Sequence, residues 1–268
     1  MLQNEPQIFF HLGFPKTGST YLQRRIFPYI PGIHFFKKHH FRKFRHLKPL
    51  PGHKYFFTYE KDIDIKEAMD QIKEKFPDNS YIILVFRPHY SWIVSKYKYY
   101  IRKFGYLDFK GYFSTDAPCY LNIGPDIYNS TADYAARLFN NRVLLLNFDE
   151  LKLSPESFMR KIYDFMGLGK EEEVAVSEKL VKPSFSIKQL KILRRFNDLY
   201  RYQKMNSSSK ILNFAHHKYR QFVLHTVAFF ARFAPADTAG LEKELTDRRP
   251  VIEDHFSEDW EKMLKRFA

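Results

Sequence analysis

The sequence predicts an α/β protein in which a central parallel β-sheet is flanked by helices. Three apolar runs lack the alternation of a half-exposed strand, and such runs are typical of strands buried on both faces. They lie at 8–12, 81–86 and 143–148. Segments with helical periodicity separate the runs, and this order of elements favours a parallel sheet. With 268 residues, the chain is long enough to bury one full core.

The other elements follow from periodicity and from the positions of proline and glycine. Two further strands are expected, at 33–36 and 54–59. Helices are predicted at 20–29, 63–76, 88–104, 128–139, 154–166 with Gly167 as its cap, 187–233 with a break near 206–209, and 250–267. Glycine and proline recur in 105–127, which is therefore expected to be irregular. We predict a single domain over 1–268, with an α/β core at 7–190 and a helical C-terminal extension at 191–268.

The formal net charge of +14 indicates an anionic partner, such as a nucleotide, an acidic polymer or anionic lipid. Nucleic acid is not expected, because no zinc-ligand spacing, RNA-binding motif or helix-turn-helix signal accompanies the charge. Cys119 is the only cysteine, so no disulfide can form within the chain. No signal peptide or membrane anchor is recognised before the first strand, and a cytoplasmic protein is therefore expected.

The turn after the first strand has the features of an anion cradle. It begins at Gly13, reaches Gly18 and leads into a helical pattern, so that backbone N–H groups and a helix N-terminus face one point. The two glycines have the spacing of a phosphate-binding P-loop, but Ser19 follows where that motif has lysine. Lys16 is the only lysine of the turn. A nucleotide-dependent kinase with a degenerate P-loop is therefore an alternative, disfavoured by the displaced lysine.

The turn resembles the 5′-phosphosulfate loop of sulfotransferases that use 3′-phosphoadenosine 5′-phosphosulfate (PAPS). That loop reads P-K-[TS]-G-[TS]-[TS], and residues 15–20 read P-K-T-G-S-T. A second match is FRPHYSWIVS, in which Arg87 at a strand end precedes Ser95 by eight residues, as in the family's 3′-phosphate site. The resemblance continues through 143–168 and reaches Lys182, and it is greatest to bacterial-type members that act on carbohydrates.

The resemblance implies in-line transfer of a sulfuryl group from PAPS to an acceptor hydroxyl, without a metal. Lys16 would neutralise the bridging oxygen of the leaving phosphate. Arg87 and Ser95 would hold the 3′-phosphate, and Lys182 lies near where such enzymes close over the nucleotide. The residues expected to bind PAPS are Lys16, Thr17, Gly18, Ser19, Thr20, Arg87, Ser95 and Lys182. The adjacent histidine pairs at 39–40 and 216–217 are not expected to hold a metal.

The general base is expected to be Glu60, because it follows a strand and FFTYEK resembles a segment where related enzymes place a glutamate. A solvated surface charge is the alternative interpretation of this residue. His89 and His34 are the other candidates for the base, since histidine has a suitable pKa. His11 falls inside the first predicted strand and is expected to be structural.

The resemblance places the acceptor hydroxyl on a carbohydrate, a glycolipid or another small molecule. A non-catalytic basic protein that binds anions or lipid on the same fold is a further alternative. The basic stretch 37–54 is expected to be an exposed loop, either solvated or at the acceptor rim. The basic, aromatic segment 210–233 is predicted to be an amphipathic helix packed on the core, with contact to an anionic membrane as the second interpretation.

Overall fold

The computed structural model describes residues 5–37, 44–61, 64–169, 185–200, 209–235 and 238–267. Predictions that fall on other residues, including the role of Lys182 and the centre of the basic stretch 37–54, lie outside the described residues.

A parallel sheet of five strands forms the centre of the fold, which confirms the predicted fold class. The strands are β1 (Gln7–Gly13), β2 (Ile33–Phe36), β3 (Lys54–Thr58), β4 (Ser80–Phe86) and β5 (Val143–Asn147). Their order across the sheet is β2-β3-β1-β4-β5. The central strand β1 is buried along almost its whole length, as its uninterrupted apolar sequence predicts.

The order of the strands places the turn after β1 at a special point of the sheet. From β1 the chain moves outward to β2 and returns to β3 on one side, and then crosses to β4 and β5 on the other side. The connections therefore diverge at the carboxyl end of β1. Such a topological switch point opens a crevice in which parallel α/β sheets bind their ligands.

Helices follow most of the strands. The first helical segment is α1 (Ser19–Tyr21), which continues as a π-helical turn (Leu22–Ile26) and a 3₁₀ turn (Phe27–Tyr29). The others are α2 (Ile65–Lys75), α3 (His89–Ile101), α4 (Phe109–Tyr112), α5 (Ile127–Leu138), α6 (Phe148–Leu153), α7 (Pro155–Met166), α8 (Ile187–Tyr200), α9 (Lys210–Phe230), α10 (Ala239–Asp247), α11 (Arg249–His255) and α12 (Ser257–Phe267).

The elements form two compact units. The first unit contains the sheet with α1, α2, α5, α6, α7 and α12, and the second contains α3, α4 and α8 to α11. The last helix, α12, packs on α5 and β5 of the first unit. The proposed organisation as a single domain with a C-terminal extension at 191–268 stays a prediction.

One face of the sheet carries the main core of the first unit. Buried side chains of β1, β3, β4 and β5 pack there against the first helical segment and α7. The residues are Phe9, Leu22, Ile26, Phe27, Phe56, Ile83, Val85, Leu146, Phe158, Ile162 and Met166. Their burial holds β1, and with it the start of the following turn, in one position.

Short elements account for most differences from the sequence predictions. The helices α4, α6 and α10 were not predicted, and the helix expected at 250–267 is interrupted at Phe256. A side chain caps two of these short helices, since Asp108 accepts a hydrogen bond from Gly111 N (2.7 Å) and Asn147 accepts one from Asp149 N (2.9 Å). A capped helix of one or two turns leaves too few residues to establish a period.

Candidate active site

The turn after β1 is fixed at its start by both neighbouring strands. Phe14 N donates to Val85 O of β4 (2.9 Å), and Lys61 N, beyond β3, donates to Leu12 O (2.7 Å). A Cβ atom at Gly13 would collide with the carbonyl oxygen of Lys61, so this close approach of two backbones requires glycine. The chain therefore leaves the sheet in a defined direction.

Gly18 starts the helical segment that follows the turn. Its φ of 79° is left-handed, and a Cβ atom there would lie 2.8 Å from a ring carbon of Phe148 and 2.9 Å from Leu151. Tyr21 N donates to Gly18 O (2.9 Å), which closes the first turn. The N–H groups at the start of a helix have no partner inside it, so the segment presents donors at the turn.

Lys16 lies at the tip of the turn in an unusual backbone conformation. Its φ is 72°, in the left-handed region that residues other than glycine seldom adopt. Its carbonyl oxygen accepts a hydrogen bond from Arg87 Nη1 at 3.2 Å. Left-handed residues of this kind cluster at ligand-binding sites, where surrounding contacts hold them. The bond from Arg87 is one such contact.

Two hydroxyl groups of the turn have different surroundings. Thr17 Oγ1 is buried and donates to Phe14 O at 2.5 Å, so it holds the turn itself together. Ser19 is 2% exposed, and no hydrogen-bond partner for its Oγ exists among the described residues. A buried hydroxyl without a protein partner is typical of a position where an ordered water or a ligand oxygen binds. Thr20, the next residue, is exposed.

Arg87 follows β4 directly and is only partly exposed. Its guanidinium lies over the ring of Phe148 at 5.0 Å. Burial lowers the pKa of Arg87, and the nearby negative charge of Asp149 opposes this effect. Since an arginine pKa begins far above neutrality, the side chain stays a cation. The site thus combines a fixed positive charge with the donors of the turn.

Tyr128 at the start of α5 supports both Arg87 and the turn. Its hydroxyl donates to Arg87 O at 3.0 Å, and its ring lies 5.0 Å from that of Phe14. Asp259 of α12 accepts hydrogen bonds from Tyr128 N (3.0 Å) and Asn129 N (2.9 Å), and so caps α5 from another helix. Burial and the Asp259 carboxylate raise the pKa of Tyr128, which keeps its hydroxyl protonated. Neither Tyr128 nor Asp259 is marked by a pattern in the sequence.

Glu60 lies beside the end of β1. The residues on either side of it are bonded to that strand, since Tyr59 N donates to His11 O (2.8 Å) and Lys61 N to Leu12 O. The pKa of His11 is lowered to about 4, because burial disfavours the charged imidazole. The negative charge of the Glu60 carboxylate opposes this effect and raises the pKa of His11. His11 is fully buried in β1 and its Nδ1 lies 2.9 Å from Thr58 Oγ1. Its position inside the strand agrees with the structural role expected of it.

His34, a candidate base, lies at the other end of the sheet. It pairs in register with Tyr55, near the start of β3, and Tyr55 pairs with Ile8 near the start of β1. Its Nε2 lies 2.9 Å from Nδ1 of the exposed His53. The structure therefore does not bring His34 to the turn after β1.

Ser95 and His89 belong to α3 in the second unit, and their roles toward the nucleotide stay predictions. In the part of the chain that the structure describes, no three His, Cys, Asp or Glu side chains form a group that could hold a metal ion. Within the same ranges, no helix is long and apolar enough to cross a membrane.

Comparison with known proteins decides the family. The model of the sulfotransferase family matches residues 33–172, which is just over half of the chain. The chain belongs to the sulfotransferase family. It is accordingly an enzyme that transfers a sulfuryl group, and the kinase and non-catalytic interpretations are set aside. The matched residues include Glu60, Arg87 and Ser95 but begin after the turn, whose assignment rests on its own sequence and geometry.

One solved sulfotransferase structure shares the fold of this chain. A sulfotransferase from Alicyclobacillus acidocaldarius superposes with a TM-score of 0.50 at 16% identity, over 70% of this chain and 91% of that chain. The mouse sulfotransferase SULT7A1, solved in complex with PAP, gives a TM-score of 0.48 at 15% identity, over 98% of this chain and 89% of that chain. No curated protein sequence matches the chain.

Proposed function

We propose that this sulfotransferase takes its sulfuryl group from PAPS and transfers it in line to a hydroxyl of a carbohydrate or glycolipid. The observation that carries the proposal is the hydrogen bond from Arg87 Nη1 to Lys16 O. It joins the two segments that resemble the 5′-phosphate and 3′-phosphate sites of PAPS enzymes. A nucleotide with phosphates at both positions is the ligand that would use both segments.

The residues of the turn fit the 5′ end of such a donor. Ser19 offers a buried hydroxyl that has no partner among the described residues, and the helical segment beginning at Ser19 offers N–H groups. We propose that the N–H groups of 17–20, with the Ser19 and Thr20 hydroxyls, hold the 5′-phosphate. The Thr17 hydroxyl already serves Phe14 O and is assigned no contact.

Bound PAPS would supply an activated sulfuryl group on a phosphate leaving group. Lys16, at the tip of the turn, would place its ammonium where negative charge develops as that bond breaks. Arg87, with Ser95 on α3 and Lys182 farther along the chain, would hold the 3′-phosphate end. These contributions are positioning and electrostatic stabilisation, and no metal is assigned a role in them.

Glu60 is our proposed general base. Its position beside the end of β1 puts it at the edge of the sheet from which the turn emerges. A carboxylate there would take the proton of the acceptor hydroxyl as the oxygen attacks sulfur. His89 is the remaining alternative, because His34 lies at the other end of the sheet.

The acceptor class and the site of action belong to the same proposal. We propose a carbohydrate or glycolipid acceptor because of the resemblance to bacterial-type members, and a cytoplasmic enzyme because the sequence has a single cysteine. A net charge of +14 is compatible with an anionic donor and with an acidic saccharide.

Calorimetric titration with adenosine 3′,5′-bisphosphate, AMP and ATP tests the donor. We expect the bisphosphate to bind at least tenfold more tightly than AMP or ATP, on the order of one good charge-assisted contact. Equal affinity for all three nucleotides would contradict the assignment of the 3′-phosphate site. Incubation with ³⁵S-labelled PAPS and a panel of oligosaccharides and glycolipids then tests the acceptor, since label confined to small phenols would contradict the saccharide class.

A further inference from the structure

The helix α9 packs within the second unit by one narrow side. Leu224 and Ala228, with Ala231 just after the helix, are the buried positions. Two side chains of α8 fasten it, since Gln189 Nε2 donates to Ala228 O (2.8 Å) and Lys188 Nζ to Arg232 O (3.1 Å). This packing buries one side of the helix, and most of its bulky side chains lie on the other sides.

Most of the bulky apolar side chains of α9 and of the turn after it face solvent. Ile211 is 80% exposed, Phe222 69%, Phe230 63% and Phe233 73%. At about 100° per residue, positions 211, 222 and 229 fall within about 20° of each other around the helix. Phe229 contacts Phe230 and Phe233 edge-on, with ring centroids 5.5 Å and 5.6 Å apart. We call this exposed side of α9, together with Phe233 beyond it, the apolar stripe. Exposed apolar side chains that gather on one side of a helix mark an interaction surface more often than isolated ones do.

The charge of the same segment selects the partner. Residues 209–235 contain no aspartate or glutamate, whereas Lys218, Arg220 and Arg232 are among them. Lys218 Nζ lies 5.3 Å from the ring of Phe214, so a cation borders the apolar stripe. Exposed phenylalanines beside basic side chains, with no acid, are typical of helices that lie in the interface of an anionic bilayer.

We propose that α9 docks this enzyme on an anionic membrane surface. The exposed phenylalanines insert at the boundary of the acyl chains, and Lys218 and Arg232 contact the headgroups. The sequence alone favoured packing of this segment on the core, but the exposure of Phe222 and Phe233 reverses that preference. The docking itself does not depend on the proposed donor site, but it narrows the proposed acceptor to a hydroxylated lipid headgroup.

Cosedimentation of the full chain with vesicles tests the docking. We expect binding to vesicles of phosphatidylcholine and phosphatidylserine, little binding to phosphatidylcholine alone, and release by added salt. The double variant Phe222→Gln, Phe233→Gln should weaken binding on the order of tenfold per phenylalanine. Lys218→Glu should weaken it by about tenfold.

Matched controls separate this surface from the rest of the protein. Leu153 on α6 is 85% exposed and apolar, so Leu153→Gln should leave vesicle binding unchanged. Lys243 is exposed on α10, and Lys243→Glu makes the same change of charge as Lys218→Glu away from α9. If Lys243→Glu weakens binding as much as Lys218→Glu does, attraction by overall charge explains the binding and the proposal is wrong. If Leu153→Gln weakens binding as much as the double phenylalanine variant does, α9 is not the docking surface and the proposal is also wrong.

Two further results would also overturn the docking. One is equal binding to neutral and anionic vesicles. The other is a dimer in analytical ultracentrifugation that the double phenylalanine variant converts to monomer without any vesicle binding, because a second copy then covers the stripe. Titration of each variant with adenosine 3′,5′-bisphosphate keeps the tests separate, since loss of docking with unchanged nucleotide affinity leaves the proposed donor site intact.

Discussion

Arg87 Nη1 and the carbonyl oxygen of Lys16 are hydrogen-bonded at 3.2 Å, between residues 71 positions apart in the chain. The bond ties the end of β4 to the tip of the turn after β1. Lys16 has left-handed backbone geometry, and the contact to its carbonyl oxygen helps to hold it in that conformation. The two segments that resemble nucleotide sites therefore depend on each other, and several predictions use this dependence.

Lys16→Gly should abolish sulfuryl transfer without destabilising the turn. Glycine adopts a φ of 72° without strain, so the thermal midpoint of unfolding should stay the same or rise slightly. Loss of the ammonium should reduce turnover of labelled PAPS by at least about 100-fold. Lys16→Ala serves as the comparison, because it loses the same charge but retains the strain. Near-normal turnover in the glycine variant would contradict the role of the lysine.

Arg87→Ala should weaken binding of adenosine 3′,5′-bisphosphate by roughly 10-fold to 100-fold, the value of a charge-assisted contact. It should also weaken the binding of AMP slightly, since the hydrogen bond from Arg87 to Lys16 O is lost as well. Ser95→Ala leaves the bond to Lys16 O in place and should weaken the binding of the bisphosphate but not the binding of AMP. Calorimetry with both nucleotides separates the two contributions. Equal losses for both nucleotides in Ser95→Ala would rule out a 3′-phosphate role for Ser95.

Glu60→Gln should reduce turnover by at least about 100-fold while nucleotide affinity survives, because the amide keeps the shape and cannot accept the proton. His34→Gln is the control, since His34 lies at the amino end of the sheet and should leave turnover unchanged. An active Glu60→Gln enzyme would shift the proposal to His89, and the corresponding His89→Gln variant would then be measured.

The sequence predicted the parts of this site that consist of local patterns. Uninterrupted apolar runs indicate buried strands, and the spacing of Gly13 and Gly18 indicates the turn. The sequence therefore predicted β1, β4 and the turn. Support for the site from Tyr128 and Asp259 was missed. These residues are 131 positions apart, and neither has a neighbouring sequence pattern that marks it. Only the packing of α12 on α5 brings them together.

The choice among candidate bases shows the same limit. In the sequence, Glu60 follows one predicted strand and His34 lies within another, and their chemistry alone does not rank them as bases. Parallel register separates them, since His34 pairs near the start of β3 and Glu60 follows its end. The choice of Glu60 over His34 therefore rests on their positions along the strands. It requires knowing at which end of the sheet the turn lies.

Tyr128→Phe should destabilise the protein and weaken nucleotide binding together. The variant leaves Arg87 O without the hydroxyl that lies 3.0 Å away, and the loss of this partly buried hydrogen bond costs about 0.5–1.5 kcal/mol. Tyr134→Phe is the matched control, because Tyr134 is on the same helix and its hydroxyl bonds to the exposed Asp70. That control should change the free energy of unfolding by less than about 0.5 kcal/mol. Equal effects of the two variants would contradict a special role for Tyr128.

The free energy of unfolding should fall as the pH is lowered from 6.5 towards 4, because of His11. Burial lowers the pKa of His11 from 6.5 to about 4, so the unfolded chain binds a proton in this range and the folded chain does not. Above pH 6.5 the neutral His11 causes no loss of stability. The loss grows as the pH falls and reaches about 3 kcal/mol at most at pH 4.

Urea unfolding at a series of pH values measures this effect. In His11→Gln the slope of the free energy of unfolding against pH should become shallower between pH 6.5 and 4 than in the native chain. Glu60→Gln provides a sharper test, since the charge of Glu60 raises the pKa of His11. Its removal should extend the pH-dependent range to lower pH. An unchanged range in Glu60→Gln would mean that the carboxylate does not act on β1, and would weaken its assignment to the catalytic end of the sheet.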